Sequence, residues 1–528
     1  MKLDNSTDPQ VGYRPPGPLE AGALDRYRGH FGSRQAAHLV RRAGFGGTPD
    51  DVERLAELGA DRALDAVLHP AEPDLPFPDS PDPAELYDIQ LRVKNQAAQM
   101  WYLDRLLRTR RPLVEKMTLF WHGHFATSLI SSKVAPAQMV EQINLFRAQG
   151  LGSFGTLLRS VTYDPAMLVW LDNRKNVAAH PNENYARELM ELFTLGLGNY
   201  TEDDVKNAAR ALTGITLAAG SRVVFQPRLH DADVKTFLGR TGNFGPDDIV
   251  DIVLAQPVHQ RFICRKLLEF FVYSDPEPEL VEELASVYAT SGFDIGKTVG
   301  TILRSNVFFS PRAYRALPKS PIEFVIGLQR YMQFPQVPLD TLTWLGRMGQ
   351  IPLMPQTVKG WDGGPTWINT STMLARMNYV NEVVHAQKSA AAAAPGTGSA
   401  TMAAGAGGAS MPSASSSVGT SMSPASTGPA MNGTTVSTMP KFPSSLPSMR
   451  DPGAIVASAG GLHAERVLDA VLGGVVQRDV TSDLRGTLLA YLDGVNTDNP
   501  QPFGPETFEL RTRGLLALVF TLPANNLN

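Results

Sequence analysis

The chain has 528 residues, of which 43% are hydrophobic and 19% charged, a composition typical of a globular protein with a substantial core. The formal net charge is −4, with both signs interspersed and no basic tract, which argues against nucleic acid as a partner. A single cysteine, Cys264, excludes an intramolecular disulfide and a cluster of thiolate metal ligands.

The first part of the chain carries no sign of membrane targeting. Residues 1–30 are rich in proline, glycine and aspartate and are predicted to form a flexible N-terminal segment. The first ten residues lack the apolar stretch of a secretory signal, and nowhere does the chain reach the roughly 18–20 apolar residues that a membrane span needs. Read literally, the sequence predicts a cytoplasmic protein without a membrane span.

Helical patterns then follow one another over residues 31–388, which we take as the main domain. A clear helix start is Thr48, a predicted N-cap followed by Pro49 at the first helical position and by Asp51, which closes a capping box. Further helices are predicted over 97–110, 112–122, 136–149, 154–163, 182–195, 202–213, 246–255, 257–272, 278–291, 294–305, 320–333 and 370–385. The one persuasive strand pattern, at 221–226, is predicted to pair with 236–238 in a small hairpin.

The composition changes sharply after the main domain. From Ser389 to Pro440 the chain has no charged or aromatic side chain, which predicts a disordered linker over 389–450. Residues 451–528 again have helical patterns but are too few for a domain of their own, so they are predicted to pack back on the main domain. The predicted fold class is therefore mainly α, a large multi-helix domain with at most one small β-hairpin and a long disordered linker near the C-terminus.

The first candidate site is the histidine pair of the aromatic stretch FWHGHF at 120–125. On a continuous helix, His122 and His124 would point about 200° apart and could not share one ion. A helix break at Gly123 would turn both imidazoles to the same side and supply half of a metal site. The alternative is two hydrogen-bonding histidines beside an aromatic cluster.

The second candidate stretch surrounds the predicted helix 182–195. Glu183, Arg187 and Glu191 follow one another at spacing four, which is a salt-bridge ladder in the ordinary interpretation. His180 with Glu183 resembles half of an inverted zinc-protease motif, but Asn184 stands where the second histidine is required, so that class is excluded. The other polar candidates of this stretch are Asp172, Asn173 and Glu188.

Two further stretches carry candidate residues. Arg210 lies near the end of the helix predicted over 202–213, for which Thr201 and Asp204 form a capping box. Trp361 and Asn369 belong to a glycine-rich aromatic loop before a helix. The loop's donors could hold a polar ligand at that helix N-terminus, and the alternative is a tightly packed turn.

These same stretches carry a family resemblance. The chain resembles the bacterial family known as domain of unknown function 1800, and the match is dense and in order over about residues 34–385, with the tail after 460 similar to the family's C-terminal end. The segments that resemble the family's signatures are 38–46, 121–125, 171–173, 181–189, 194–196, 209–214, 230–231, 235–239 and 358–361.

The resemblance implies a helical protein of unknown activity. Many members look exported, and they are often encoded beside a second uncharacterised protein with a twin-arginine signal. This chain departs from that pattern because it lacks an evident signal and carries the neutral linker, so its localisation stays open between cytoplasmic and exported. A co-encoded exported protein is the partner that the resemblance implies.

Two functional hypotheses follow from the polar residues. The first is a hydrolase, with or without the assistance of one divalent metal ion that activates water. Its metal ligands would be His122, His124, Asp172 and His180. Its catalytic residues would be Glu183, Glu188, Arg187 and Arg210, and its ligand-binding residues Asn173, Asn184, Trp361 and Asn369. The second is a non-catalytic binding or assembly protein with an exported or envelope partner, in which the same residues form an interior network that fixes helix register.

Overall fold

The computed structural model describes residues 21–70, 91–131, 133–385, 455–456, 463–493 and 505–528. The fold is mainly α-helical, as the sequence predicts. The helices are α1 (Ser33–Arg42), α2 (Pro49–Leu68), α3 (Leu91–Arg108), α4 (Pro112–His124), α5 (Pro136–Gln149), α6 (Phe154–Thr162), α7 (Pro165–Trp170), α8 (Asn184–Glu188), α9 (Glu202–Ala211), α10 (Pro246–Leu254), α11 (Pro257–Phe271), α12 (Pro278–Thr290), α13 (Ile295–Arg304), α14 (Pro321–Tyr331), α15 (Thr341–Arg347), α16 (Thr370–His385), α17 (Ala464–Val476), α18 (Ser482–Asp493) and α19 (Pro505–Thr521).

Local capping chemistry sets where many of these helices begin. The Thr48 hydroxyl accepts the Asp51 N–H at 3.2 Å while the Asp51 carboxylate accepts the Thr48 N–H at 3.0 Å, so the predicted capping box of α2 is confirmed. Thr201 and Asp204 make the same reciprocal pair at the start of α9, which confirms the second box. Such boxes satisfy donors that a helix leaves free at its N-terminus, so they fix the first turn from sequence alone.

The helix after residue 182 departs from the regular pattern. α8 ends at Glu188 and continues directly as a π-helix over Leu189–Thr194. The wider turn ends at Gly196, whose N–H donates to the Met190 carbonyl at 3.0 Å. Gly196 has φ +81°, which glycine adopts without steric cost, and it stops the helix where the sequence predicts. Short π-segments inside helices are rare and often lie at functional sites.

In the described part of the chain, the strands form two small antiparallel sheets instead of one hairpin. β1 (Ile215–Leu217) pairs with β2 (Val223–Phe225), and β3 (Lys235–Phe237) pairs with β4 (Arg240–Gly242). The predicted pairing of 221–226 with 236–238 is therefore wrong. Each strand pairs across a shorter connection, and the turn between β3 and β4 has positive φ at both Leu238 and Gly239, as a two-residue hairpin turn requires.

The described ends of the chain pack on the helical body. The Tyr27 N–H donates to the Arg304 carbonyl at 2.8 Å, so residues 21–30 are held by the end of α13, whereas the sequence predicts a flexible segment up to residue 30. The Arg513 guanidinium on α19 donates to the Val384 carbonyl on α16 at 2.9 Å, and the predicted C-terminal helices thus contact the main body. The linker predicted over 389–450 lies outside the described residues.

No helix in the described ranges has the length and apolar character needed to cross a bilayer. Cys264 is fully buried in α11, and burial raises the pKa of its thiol, as expected for a small core residue.

A buried ion pair joins α4 to α14. Lys116 is 1% exposed, and its ammonium contacts the Glu323 carboxylate and donates to the Gly44 carbonyl at 3.1 Å. The second carboxylate oxygen of Glu323 accepts the Ser320 N–H at 2.7 Å, in the capping box that starts α14. Glu323 therefore stabilises the start of α14 and contacts the middle of α4.

Replacing Lys116 by methionine is expected to lower the free energy of unfolding by about 3–5 kcal/mol, because the Glu323 carboxylate then stays buried without its counter-ion. The matched control is Lys133→Met, which removes a half-exposed pair with Asp172 and should cost about 1 kcal/mol or less. Urea unfolding followed by circular dichroism measures both. Equal effects of the two variants would show that the buried pair does not hold α4 and α14 together.

Candidate functional site

The histidine pair lies at the C-terminal end of α4, and the helix continues through Gly123 to His124. The helix break that would turn both imidazoles to one side is therefore absent from this helix. His122 contacts the loop after residue 357, while His124 contacts the π-helix. The two histidines contact different parts of the protein because side chains two residues apart on a helix point in nearly opposite directions.

His122 is fully buried, and neither ring nitrogen has a hydrogen-bond partner among the described residues. Its ring meets that of Trp361 edge to face, with centroids 5.5 Å apart and planes at 72°. Burial lowers the pKa of His122 to about 3, so the imidazole is neutral at pH 7. A neutral imidazole still carries one donor and one acceptor, and leaving both without partners is costly.

Trp361 reaches His122 because Gly360 allows the loop to approach the helix end closely. Gly360 has φ +93°, and a Cβ there would lie 2.3 Å from the Gly123 carbonyl oxygen. Only glycine fits this approach. The indole Nε1 of Trp361 is also buried without a partner among the described residues. We call these two residues the His122–Trp361 cluster. Their ring nitrogens are buried and make no hydrogen bond within the described residues.

His124 has a defined structural role. Its Nε2 lies 3.0 Å from the Phe193 carbonyl oxygen in the π-helix. A carbonyl only accepts, so Nε2 carries the proton in this contact. Burial, followed by the nearby Lys266 charge, holds the pKa of His124 well below its ordinary value. The hydrogen bond therefore joins α4 to the π-helix with a neutral histidine.

Lys266 on α11 was not among the candidate residues predicted from the sequence. Its ammonium lies 5.1 Å from the centre of the Phe262 ring, and its positive charge contributes to the lowered pKa of His124. Burial and then the neighbouring Lys359 lower its pKa, which Glu269 partly opposes. In the sequence, the one feature that could have indicated Lys266 is the presence of a lysine within the apolar stretch of α11.

Arg187 and Glu183, two of the predicted catalytic residues, are paired with each other at the surface. Arg187 donates to the Glu202 carboxylate at 2.7 and 2.8 Å and to the Glu183 carboxylate at 3.3 Å. Glu191, the third member of the predicted ladder, instead accepts the Tyr200 hydroxyl at 2.7 Å. The ladder is therefore confirmed only for its first pair, and its arginine finds a second acid on α9.

Glu188 is half-buried near Glu191. Burial, followed by the charge of Glu191, raises the pKa of the Glu188 carboxyl, while Arg187 opposes the rise. A raised carboxyl pKa is a property that general acids use. The ring nitrogens of His122 and Trp361 have no hydrogen-bond partner among the described residues, so no hydrogen bond joins Glu188 to the His122–Trp361 cluster.

Arg210 binds Asp231 with two donors. Nε and Nη2 donate to the two carboxylate oxygens at 2.6 and 3.2 Å, in the two-point geometry that arginine and carboxylate favour. Burial raises the pKa of Asp231, but the hydrogen bonds from Arg210 and from the Asp233 N–H, together with the charges of Arg210 and Lys235, lower this pKa more, so the net shift is downward. The pair connects the end of α9 to the segment before β3.

The remaining predicted site residues are dispersed. Asp172 binds Lys133 at 2.7 Å, and His180 and Asn184 are exposed. Asn173 is buried and accepts from the Asn176 amide at 3.1 Å. Asn369 accepts the Thr372 N–H at 3.0 Å and so caps α16. In the glycine-rich loop, Asn369 is a helix cap and Trp361 a packing residue.

The predicted metal set of His122, His124, Asp172 and His180 does not come together. Across the described residues there is no group of three or more His, Cys, Asp or Glu side chains that could hold a metal ion. The physical reasons are the continuous helix α4, which separates the two histidines, and the ion pair that Asp172 makes with Lys133. These four residues therefore do not fit a shared divalent ion.

Replacing His122 by phenylalanine is expected to leave the free energy of unfolding at pH 7 unchanged or to raise it by about 1 kcal/mol, because it removes a buried imidazole without partners. The matched variant His124→Phe should lower it by about 1–3 kcal/mol, because the Phe193 carbonyl then loses its donor. Urea unfolding measures both. A strongly destabilising His122→Phe would mean that a bound molecule satisfies the His122 nitrogens.

The same variant makes a prediction about pH. The pKa of His122 is about 3 in the folded chain, and an unfolded histidine titrates near 6.5. The unfolded chain binds more protons between these values, so the stability linked to His122 is complete above about pH 6.5 and is lost as the pH falls toward 3. Unfolding midpoints at pH 7 and pH 5 should therefore differ less in His122→Phe than in the wild type. An unchanged difference would contradict a buried, neutral His122.

The comparisons with known proteins identify a family and no function. No curated protein and no solved structure matches the chain. A family model described as "Protein of unknown function (DUF1800)" matches residues 38–526. The match includes both histidines of α4, the π-helix and the C-terminal helices, and the chain belongs to this family of proteins of unknown function.

Proposed function

We propose that this protein is a non-catalytic binding or assembly protein, and that the charged residues between Asp172 and Lys235 fix helix and strand positions instead of performing chemistry. The observation that carries the proposal is their mutual pairing. Arg187 binds Glu183 and Glu202, Arg210 binds Asp231, and Asp172 binds Lys133. The catalytic alternative would need several of these groups to be directed at one substrate.

The burial of the histidines supports the same proposal. His122 is 0% exposed and His124 is 7% exposed. A general base must come within hydrogen-bond reach of the proton that it removes, and His124 already uses Nε2 to hold the π-helix. Among the predicted catalytic groups, Glu188 has the raised carboxyl pKa that a general acid needs. Burial and the neighbouring Glu191 account for this rise, so it does not require a catalytic role.

The partner that we propose is a second protein, of the kind that the family resemblance implies. In that role, two contacts would keep the binding surface rigid. The Arg210–Asp231 pair holds the end of α9 against the segment before β3, and the His124–Phe193 hydrogen bond holds α4 against the π-helix. A rigid surface loses less conformational entropy on binding than a mobile one. The second candidate is a hydrolase that uses Glu183, Glu188, Arg187 and Arg210 without the predicted metal set, and its support is the half-buried position of Glu188 and the raised pKa of its carboxyl.

A matched pair of variants separates the two functions. Arg210→Ala should lower the free energy of unfolding by about 1–2 kcal/mol, because Asp231 loses a charge-assisted two-point contact. Arg187→Ala should change stability little, because its ion pairs are exposed to solvent. Thermal unfolding measures both. If both variants kept wild-type stability but lost a measurable hydrolytic activity, the hydrolase would replace the binding protein.

The direct test is complex formation. The protein encoded beside this chain in its source genome should form a complex with it that isothermal titration calorimetry detects. The complex should be unaffected by EDTA and by Glu188→Gln. No complex, together with EDTA-sensitive hydrolysis of a model ester or phosphoester that Glu188→Gln abolishes in a folded protein, would overturn the proposal.

A further inference from the structure

A cavity of about 50 Å³ lies at the meeting point of α1, α14, α17 and the C-terminal segment, away from the histidines. Its lining includes Arg41, Lys319, Glu323, Gln477 and Asn525. About 10–15 Å³ of such space holds one water molecule. The cavity therefore has room for several waters or for one small polyatomic ion.

Arg41 brings an incompletely used guanidinium to this cavity. The residue is 8% exposed, and its Nη1 donates to the Gln477 side chain at 2.5 Å. Its Nε and Nη2 are buried and have no partner among the described residues. These two nitrogens form one edge of the guanidinium, the edge that donates two parallel hydrogen bonds to a pair of oxygen atoms.

Lys319 brings a second cation to the same cavity. It is 9% exposed, and its ammonium donates to the Asn525 amide oxygen at 3.1 Å. An ammonium has three donors, so one such bond leaves capacity for a ligand. Burial, followed by the charges of Arg41 and Arg315, holds the pKa of Lys319 well below its ordinary value, as expected where cations face one another without enough negative charge.

The described side-chain acids near the cavity, Glu323 and Asp479, do not balance these cations. Glu323 lines the cavity, but one of its oxygens contacts Lys116 and the other accepts the Ser320 N–H. Asp479 lies beyond the cavity, where it accepts the Tyr314 hydroxyl at 2.5 Å and lies 3.5 Å from Arg315. Both carboxylates are thus engaged elsewhere, and α14 begins immediately beyond Lys319, which adds the positive end of a helix dipole.

We propose that this cavity is a binding site for one small oxyanion, held by the free edge of Arg41 and by the ammonium of Lys319. The chemical class is a tetrahedral or carboxylate oxyanion of phosphate or acetate size, since an ion of this size matches the cavity volume. An oxyanion supplies paired oxygens to the guanidinium edge and the negative charge that the buried cations lack. The inference goes beyond the proposed protein-binding function and does not depend on it.

The occupant is tested with inorganic phosphate, sulfate and acetate, each titrated into the full chain by calorimetry at constant ionic strength. At least one should bind saturably with a stoichiometry near one. Ion chromatography of the denatured protein, prepared in chloride buffer, shows in addition whether an oxyanion is carried through purification. Failure of all three probes to bind, with no oxyanion released, would overturn the proposal.

The site is tested with Arg41→Gln and Lys319→Met. Each should weaken binding of the best probe by at least about tenfold, because each removes a charge-assisted contact. The matched control is Arg54→Gln on α2, whose side chain is 61% exposed, and it should bind like the wild type. Affinities of both cavity variants equal to that of the control would show that the probe binds elsewhere.

Stability provides a second measurement in case a variant folds poorly. In chloride, Arg41→Gln should unfold at the same temperature as the wild type or higher, because it removes a buried cation without its counter-ion. The saturating probe should raise the unfolding temperature of the wild type and not that of the variant. Loss of oxyanion binding without loss of the protein complex would contradict only this inference. Loss of the complex with oxyanion binding intact would contradict only the proposed protein partner.

Discussion

The ion pair between Lys116 and Glu323 is the interaction on which both polar regions of this protein depend. Lys116 stands in the middle of α4, whose end carries His122 and His124, and Glu323 caps α14, which borders the Arg41–Lys319 cavity. The ammonium also binds the Gly44 carbonyl just after α1. Buried charges are stable only when paired and hydrogen-bonded, so this one pair constrains three helices together.

The two regions use buried polarity in opposite ways. At the end of α4, His122 and Trp361 meet as neutral groups, and the close approach of Gly360 leaves a packed contact. Beside α14, Arg41 and Lys319 line an open volume with unused donors and a shortage of negative charge. A neutral buried group without a hydrogen-bond partner destabilises a packed core modestly, whereas a buried cation without a counter-ion favours the binding of an anion. The ligand-binding chemistry is therefore stronger at the cavity than at the histidines.

Local signals in the sequence determined most of the helical fold. The boxes of Thr48 with Asp51 and Thr201 with Asp204 start α2 and α9 as predicted, because a cap and its partner are three residues apart and need no tertiary contact. Gly196 stops the π-helix at the predicted position because only glycine takes its backbone conformation freely. The strand at 223–225 was found from its pattern, but its partner was not, since pairing depends on which segment lies beside it.

The sequence by itself determined the positions of many helices, the helical class and the family, and it directed attention to the histidine pair. Only the tertiary structure decided what those residues face: the unbroken α4 separates His122 from His124, and Arg187 and Arg210 find acids 15 and 21 residues away along the chain. The cavity was beyond prediction for the same reason. Arg41 and Lys319 are far apart in sequence, and each lies in a stretch that reads as ordinary helix or turn. Capping and periodicity are local, but the balance of buried charge is set by whichever helices pack together.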